Sequence, residues 1–355
     1  MRYLPLKVVV DPVVSDTAIA RRVLSLVPCA EVVSVPACAP GPHDTGSTLF
    51  LMNNPGPFVK KCPETPQYVC CGYRILNIGT GCPIGCTYCI LNEYLGSRAM
   101  SAYCNTEPLF RELAEVVKGP FLRLGSGEFT DSLVLDHLTG LSADLIPFLL
   151  KQRNLLFEFK TKTVNINNLI KYEVQRKIMA SWSVNPDVIV KAEEHGAPSL
   201  EKRLAAAREC MKKGYIIGFH FDPIIKHDNW EENYTKVVDL IYQHVEPSCI
   251  GWISLGCFRF VPALKPVVQR LYPHTKIIYE EFVQGKDRKM RYFRPLREHI
   301  YDVIISRIKK YHPDAPVYFC METPAVWERV LGKKTFSSDG LCGMLDEVRE
   351  KFGLD

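Results

Sequence analysis

From about residue 72 the chain alternates short apolar or β-branched runs with segments of helical periodicity, six times in succession. "YRILNIG" leads, through a cysteine-rich loop, to "TEPLFRELAEVVKG"; "PFLRLGS" leads to "ADLIPFLLKQR"; "NLLFEFKTKT" leads to "NINNLIKYEVQ". "KIMASWSVNP" is followed by "PSLEKRLAAARECMKKG", "YIIGFHFDPII" by "WEENYTKVVDLIYQHV", and "CIGWISLGCF" by "VPALKPVVQRLYP". Each pair is about 30 residues long, the length of a parallel crossover unit. Apolar strand runs separated by amphipathic helices require an α/β fold with a parallel sheet, because only crossover helices can connect and cover such strands. Spacing leaves two versions open: a barrel or partial barrel, and an open doubly wound sheet. In both, chemistry gathers at the C-terminal ends of the strands.

The remainder divides around this alternation. Residues 1–60 read as a small α/β lobe and linker, with "LKVVVDPVV", "AEVVSVPA" and "STLFLMNN" as strands around the capped helical segment "SDTAIARRVLSLV". Residues 61–275 hold the six units. Residues 276–355 form a C-terminal extension with a basic loop, "QGKDRKMRYFRPLR", a helix "EHIYDVIISRIKKYH", a strand "PVYFCME" and a last helix. No apolar run approaches the length of a membrane span, so no membrane partner is expected. The opening "MRYLPLKVVVDPVVSD" is too polar for a secretory leader, and the expected compartment is the cytoplasm. A net charge of +5 permits a polyanionic partner without requiring one.

Fourteen cysteines in a chain of this kind do not read as a disulfide framework, since cytosolic thiols stay reduced. Most are scattered and read as small core residues. Three are not: Cys82, Cys86 and Cys89 fall in "GTGCPIGCTYCILNEYLGS", at the end of the first strand, and the next cysteine, Cys104, is fifteen residues on. Thiolates are soft donors for zinc or iron–sulfur clusters. Structural zinc closes its shell with four ligands, commonly in C-x2-C pairs. The spacing here is C-x3-C-x2-C with no nearby histidine, which leaves a coordination position open, as reactive metal centres do.

With the aromatic Tyr88 before the last cysteine, this motif resembles that of the radical S-adenosylmethionine (SAM) superfamily. "FVKKCPETPQYVCCGYRILNIGTGCPIGCTYCILNEYLG", "DHLTGL", "FKTKT", "SWSVNP", "FHFDPII", "RYFRPLREHIY" and "YFCMETPAVW" together resemble the spore photoproduct lyase family over nearly the whole length. The resemblance implies a partial (β/α)6 TIM-type barrel of the radical SAM type. It implies a 4Fe-4S cluster on Cys82, Cys86 and Cys89, with SAM completing the fourth iron. One electron would cleave SAM to a 5′-deoxyadenosyl radical, which takes a hydrogen atom from the substrate. An external reductant such as flavodoxin or ferredoxin is implied. The family's substrate is a methylene-bridged thymine dimer in DNA, so a DNA or nucleotide substrate is the leading expectation. A different small molecule or peptide is the rival, and a non-enzymatic iron–sulfur or zinc protein sensing nucleic acid is the reading from another class.

The other strand ends supply the remaining candidates. In "GSGEFTD", the resemblance to radical SAM proteins implies that Glu128 grips the SAM ammonium, with Thr130 as an alternative polar contact, although a loop carboxylate can equally be solvated. In "FKTKT", Lys162 matches the family's contact to the SAM carboxylate, provided the strand register turns it and Lys160 inward. "SWSVNP" offers Ser183 and Asn185 as contacts to SAM or as ordinary turn chemistry. In "HFDP", His220 and Asp222 share a strand face, as pocket or core residues. Cys62, Cys70 and Cys71 are spread over a linker and read as structural. In the basic loop, Lys289, Arg291, Tyr292 and Arg294, among Lys286, Arg288, Phe293 and Arg297, are the nucleic-acid candidates, with phosphates for the cations and bases for the rings.

Two positions depart from the resemblance. The family's lyases carry, after the second strand, a cysteine that returns a hydrogen atom to the product radical; the matching position here is Glu128. They also carry a tyrosine directly after the third cluster cysteine, where this chain has Ile90; Tyr88 remains as a catalytic candidate. Tyr103, Cys104, Cys257 and Cys320 are the residues that could replace the missing donor.

Overall fold

The computed structural model describes residues 3–65, 67–334 and 337–354. Its main sheet settles the choice between barrel and doubly wound sheet. Seven parallel strands lie side by side in chain order: Arg74–Leu76, Leu122–Ser126, Leu155–Thr161, Ile178–Ser183, Ile216–Ile224, Ile250–Cys257 and Val317–Phe319. A doubly wound sheet reverses its strand order at a switch point; this one never does, and it curls into a partial barrel. The first six strands are the six expected, and the seventh comes from the C-terminal extension. An antiparallel strand, Val59–Lys61, covers the outer edge of the first.

The strands are apolar throughout because helices cover them outside and their own side chains fill the inside. Every residue of Ile250–Cys257 is buried, as are the first six of Ile216–Ile224. The helices Thr106–Val116, Leu141–Leu149, Leu200–Lys212, Trp230–His244 and Leu264–Leu271 fall where the sequence periodicity predicts them. The helix expected in "NINNLIKYEVQ" does not form; only a 3-10 turn, Leu169–Lys171, is present. Its asparagines are engaged elsewhere. Asn165 Nδ2 donates to the Leu133 carbonyl at 3.2 Å and Asn168 Nδ2 to Asp136 Oδ2 at 2.9 Å. Such side-chain bonds compete with helix formation. An additional helix, Asp187–Glu193, begins directly after Pro186.

The N-terminal lobe is a second sheet, in the order Glu31–Ser34, Lys7–Val10, Thr48–Met52, Met100–Tyr103, Gly79–Thr80. Its helix, Ala18–Leu26, is capped by Thr17, whose Oγ1 accepts from Ala20 N at 3.3 Å. The lobe is therefore not built from residues 1–60 alone. Met100–Tyr103 runs parallel to Thr48–Met52, and Gly79–Thr80 pairs antiparallel with it. Those two short strands are the feet of the cysteine loop. Arg22 on the lobe helix joins Asp144 of the barrel's outer layer through bonds of 3.1 and 3.2 Å. No described helix is long and apolar enough to cross a membrane.

Phe219, fully buried in the fifth barrel strand, should be among the costlier truncations. Phe219→Ala is expected to destabilise the fold by about 3–5 kcal/mol, read as a lower urea midpoint with an unchanged m-value.

Candidate active site

The cysteine loop opens from the first barrel strand and is held on every side. At its base, Thr80 N and Thr80 Oγ1 bond Ser101 Oγ at 3.1 and 2.7 Å. Gly81 then takes φ +82°, and a Cβ there would collide with the Ala99 carbonyl oxygen, so only glycine can make this turn. Gly81 N donates to the Phe129 carbonyl at 2.9 Å, which ties the loop to the turn after the second strand. On the far side, Thr87 N donates to the Glu193 carbonyl at 2.9 Å, and Gly196 N to the Ile84 carbonyl at 2.7 Å.

Burial pushes the Cys82, Cys86 and Cys89 thiols up, and nearby negative charge pushes them further: Asp131 acts on Cys82, Glu194 on Cys86 and Glu128 on Cys89. Lys162 opposes this at Cys86 and Cys89. Thiolates in such surroundings need a bound cation. Among the described residues, no three Cys, His, Asp or Glu side chains converge to hold one metal ion.

The structure distributes the other predicted residues unequally. Lys162 lies just past the third strand, its Nζ 5.8 Å from the centre of the Tyr88 ring. Glu128 is exposed on its turn, and its charge reaches Cys89, Cys62 and Lys160. Ser183 ends the fourth strand, with its carbonyl taken by Arg203 Nη1 at 3.0 Å. Asn185 is fully engaged: its Nδ2 donates to Glu194 Oε1 at 3.0 Å and its Oδ1 accepts from the Tyr234 hydroxyl at 2.8 Å. The Tyr88 hydroxyl donates to Glu194. Thr130 turns away from the strand ends. Its Oγ1 is buried without a protein partner and borders a space of about 20 Å³ in the seam between lobe and barrel, lined also by Ile78, Ser101 and Tyr103. That is room for one water molecule.

The barrel interior below the strand ends is filled by a polar cluster that the sequence motifs did not reveal. Glu158 is its hub. Glu158 Oε1 accepts from Ser181 Oγ, from Trp252 Nε1 at 3.1 Å and from His220 Nε2 at 2.8 Å; Oε2 accepts from Tyr73. His220 Nδ1 meets Ser254 Oγ at 2.7 Å. Burial alone would raise the Glu158 carboxyl, but His220, Lys160 and Ser181 hold it down to about 2. The period-2 parity of "FEFKTK" was the available clue: Glu158 and Lys160 share the inward face.

Beyond His220, Asp222 forms a two-bond pair with Arg259, 3.1 Å each, and Arg259 Nη2 donates to Cys320 Sγ at 3.4 Å. Burial raises Cys320 and Cys71, and pushes Cys62 up to about 12 with help from Glu128. Of the four alternative donors, two lie at barrel strand ends: Cys320 just past Val317–Phe319, and Cys257 as the last residue of Ile250–Cys257. Cys104 and Tyr103 end a lobe strand, and Cys257 is buried, its N donating to the Tyr301 hydroxyl at 3.0 Å.

The basic loop folds as a hairpin, Phe282–Gln284 against Met290–Tyr292, paired also with Arg259–Phe260. Two of its four nucleic-acid candidates are inside it. Arg291 is buried, pairs with Asp287 at 2.6 Å and lies 4.4 Å from the Tyr68 ring centre. Tyr292 is fully buried, its hydroxyl accepting from Lys226 N at 3.1 Å. Arg297 is likewise buried on Glu322. Lys289 is half-buried, with burial and the neighbouring Arg259 lowering its pKa, while Lys286, Arg288, Phe293 and Arg294 are exposed.

Comparisons with known proteins agree with this arrangement. The sequence model of the spore photoproduct lyase family matches residues 69–320. The spore photoproduct lyases of Geobacillus sp. (strain Y412MC61) and Bacillus subtilis (strain 168) are each 28% identical over 212 residues, 58% of this chain. The chain spans 62% of the length of these two relatives. That of Clostridium acetobutylicum is 22% identical over 254 residues, 69% of this chain and 75% of its own length. The solved structure of a spore photoproduct lyase cysteine-to-alanine mutant with dinucleoside spore photoproduct superposes with a TM-score of 0.80 at 21% identity, covering 90% of this chain and 100% of that one. At that identity the likeness is one of fold.

The Glu158 cluster generates a pH prediction. Its carboxyl falls from an ordinary 4.5 to about 2 on folding, so its stabilising contribution is complete above pH 4.5 and lost as pH falls toward 2. Glu158→Gln should lower the urea midpoint at pH 7 and flatten the decline between pH 4.5 and 2, measured by urea titrations across that range.

Proposed function

Because the chain belongs to the spore photoproduct lyase family, whose sequence model spans most of it, we propose that it is a radical SAM enzyme acting on a nucleic-acid lesion or nucleotide. One observation carries this reading: three thiols on a single clamped loop at the C-terminal end of the first strand of a parallel partial barrel. Cys82, Cys86 and Cys89 would hold the 4Fe-4S cluster, and SAM would complete it. Bound together and reduced, the two would supply radical chemistry able to take a hydrogen atom from the substrate.

The chain's own residues provide binding and orientation. Lys162, beside Tyr88 and the second and third cysteines, offers an ammonium to the SAM carboxylate. Glu128, whose charge reaches Cys89, offers a carboxylate to the SAM ammonium. Ser183 stands at the next strand end. Asn185 and Tyr88 act at one remove, since their polar atoms are committed to Glu194 and Tyr234. On the other side of Glu128, Lys160, Asp222, Arg259 and Cys320 form a charged wall for the substrate. Lys289 and the exposed Lys286, Arg288 and Arg294 suit phosphates of a bound strand, and Phe293 suits a base. A dinucleoside spore photoproduct is what a solved relative binds, and the same class of lesion is the substrate proposed here.

The protein should bind iron and sulfide under anaerobic reconstitution and, with dithionite, convert SAM to 5′-deoxyadenosine. Alanine at Cys82, Cys86 or Cys89 should abolish that product; a zinc-only protein without SAM cleavage would leave the sensor reading. On oligonucleotides bearing the methylene-bridged thymine dimer, repair should be slow relative to SAM cleavage, because the Glu128 carboxyl is a poor hydrogen-atom donor. Glu128→Cys should raise repaired thymine per turnover about tenfold or more, equivalent to ~1.4 kcal/mol in barrier. Ordinary repair by the unaltered chain would show that another residue serves as donor.

A further inference from the structure

The segment Glu193-Glu194-His195-Gly196 was not singled out by any motif, yet it runs alongside the cysteine loop for the loop's middle stretch. Cys86 and Glu194 form an antiparallel bridge. A Cβ at Gly196 would stand 2.9 Å from Ile84 Cα, so the two backbones touch. Glu193 Oε2 accepts from Thr87 Oγ1 and, at 2.7 Å, from Thr275 Oγ1. Glu194 Oε1 accepts from the Tyr88 hydroxyl and from Asn185 Nδ2, and Oε2 from Arg203. Both partners of the Glu194–Arg203 pair are fully buried.

We propose that Glu194 is a positioning residue for the metal centre: it fixes the second and third cysteines through the Cys86 bridge and Tyr88, and its charge lowers the potential at which the cluster accepts an electron. This rests on the reading of Cys82, Cys86 and Cys89 as cluster ligands. The charges facing Glu194 are Arg203 and Lys162. The buried ion pair with Arg203 and the hydrogen bonds donated by Tyr88 and Asn185 match a carboxylate, which puts a fixed negative charge beside the cysteine loop. An electron added near a fixed negative charge in a low-dielectric interior is disfavoured. Cluster potentials respond to such charges and to outer hydrogen bonds. A purely mechanical tie to the cysteine loop would need no ionised group: an amide oxygen could accept the bonds from Tyr88 and Asn185, though not the one from Arg203.

The test uses the full-length reconstituted protein, without SAM or substrate. Iron and sulfide are counted per chain, the midpoint potential is read by EPR-monitored titration, and iron loss to a chelator is timed. Glu194→Gln should load a cluster whose midpoint lies at more positive potential, because Arg203 and Lys162 lose their counter-charge. Glu194→Asp should bring it back toward the native value. Tyr88→Phe keeps the charge and should leave the potential near native while speeding iron loss about tenfold or more. Should Glu194→Gln fail to fold, Arg203→Lys keeps both charges but loses the bonds to the Pro198 and Ser183 carbonyls, 2.9 and 3.0 Å in the native protein. It should speed iron loss at an unchanged potential. A native chain that loads while Glu194→Gln shows the native potential, or while Arg203→Lys shows the native rate of iron loss, overturns the inference alone. A native chain that takes up no cluster overturns the reading beneath it as well.

Discussion

The buried pair of Glu194 and Arg203 sits where four parts of the chain meet. Arg203 belongs to the helix Leu200–Lys212 and gives its remaining donors to the carbonyls of Pro198 and Ser183. Glu194 takes the Tyr88 hydroxyl of the cysteine loop and Asn185, which in turn accepts from Tyr234 on the helix Trp230–His244. Burying two charges is expensive, and an apolar replacement of such a pair is often no less stable. Removing one partner is different, since it strands the other and costs about 3–5 kcal/mol. Such a pair contributes little net stability but fixes one arrangement, here the end of the fourth strand relative to the cysteine loop.

The strand ends are divided by charge into two halves. One holds the three thiols and Lys162, ringed by Asp131 and Glu194. The other holds Lys160, the Asp222–Arg259 pair and Cys320. Glu128 lies between them, exposed, with its charge felt by Cys89 on one side and Cys62 on the other. Beneath both, the Glu158 cluster fills the barrel, so the chemistry proposed here takes place above a closed polar floor rather than in a deep cavity.

Much of the architecture was legible because it is written in periodicity. Six strand-then-helix units, their C-terminal loops and the trio of cysteines follow from residue types and spacing. The exceptions have physical causes. The asparagines of "NINNLIKYEVQ" bond neighbouring segments instead of supporting a helix. The four residues Met100–Tyr103 are too short a run to be told from loop, and they pair with a strand just over fifty positions earlier in the chain. Arg291, Tyr292 and Arg297 look like surface chemistry in a basic stretch, but the hairpin folds them inward onto Asp287, Lys226 and Glu322. Glu194 and Arg203 were invisible for the opposite reason: one lies just past the helix Asp187–Glu193 and the other inside the helix Leu200–Lys212, and only the turn between the two helices brings them together.

The feet of the cysteine loop, Gly79–Thr80 and Met100–Tyr103, are rungs of the lobe's sheet. Occupancy of the loop and integrity of the lobe therefore belong to one linked equilibrium. A ligand that binds the thiols only in the folded loop stabilises the pairing of these two strands, and with it a domain that contributes no cysteine ligand. Conversely, loosening of the lobe's sheet, however remote from the barrel mouth, reaches the thiols as a weaker grip on their cargo.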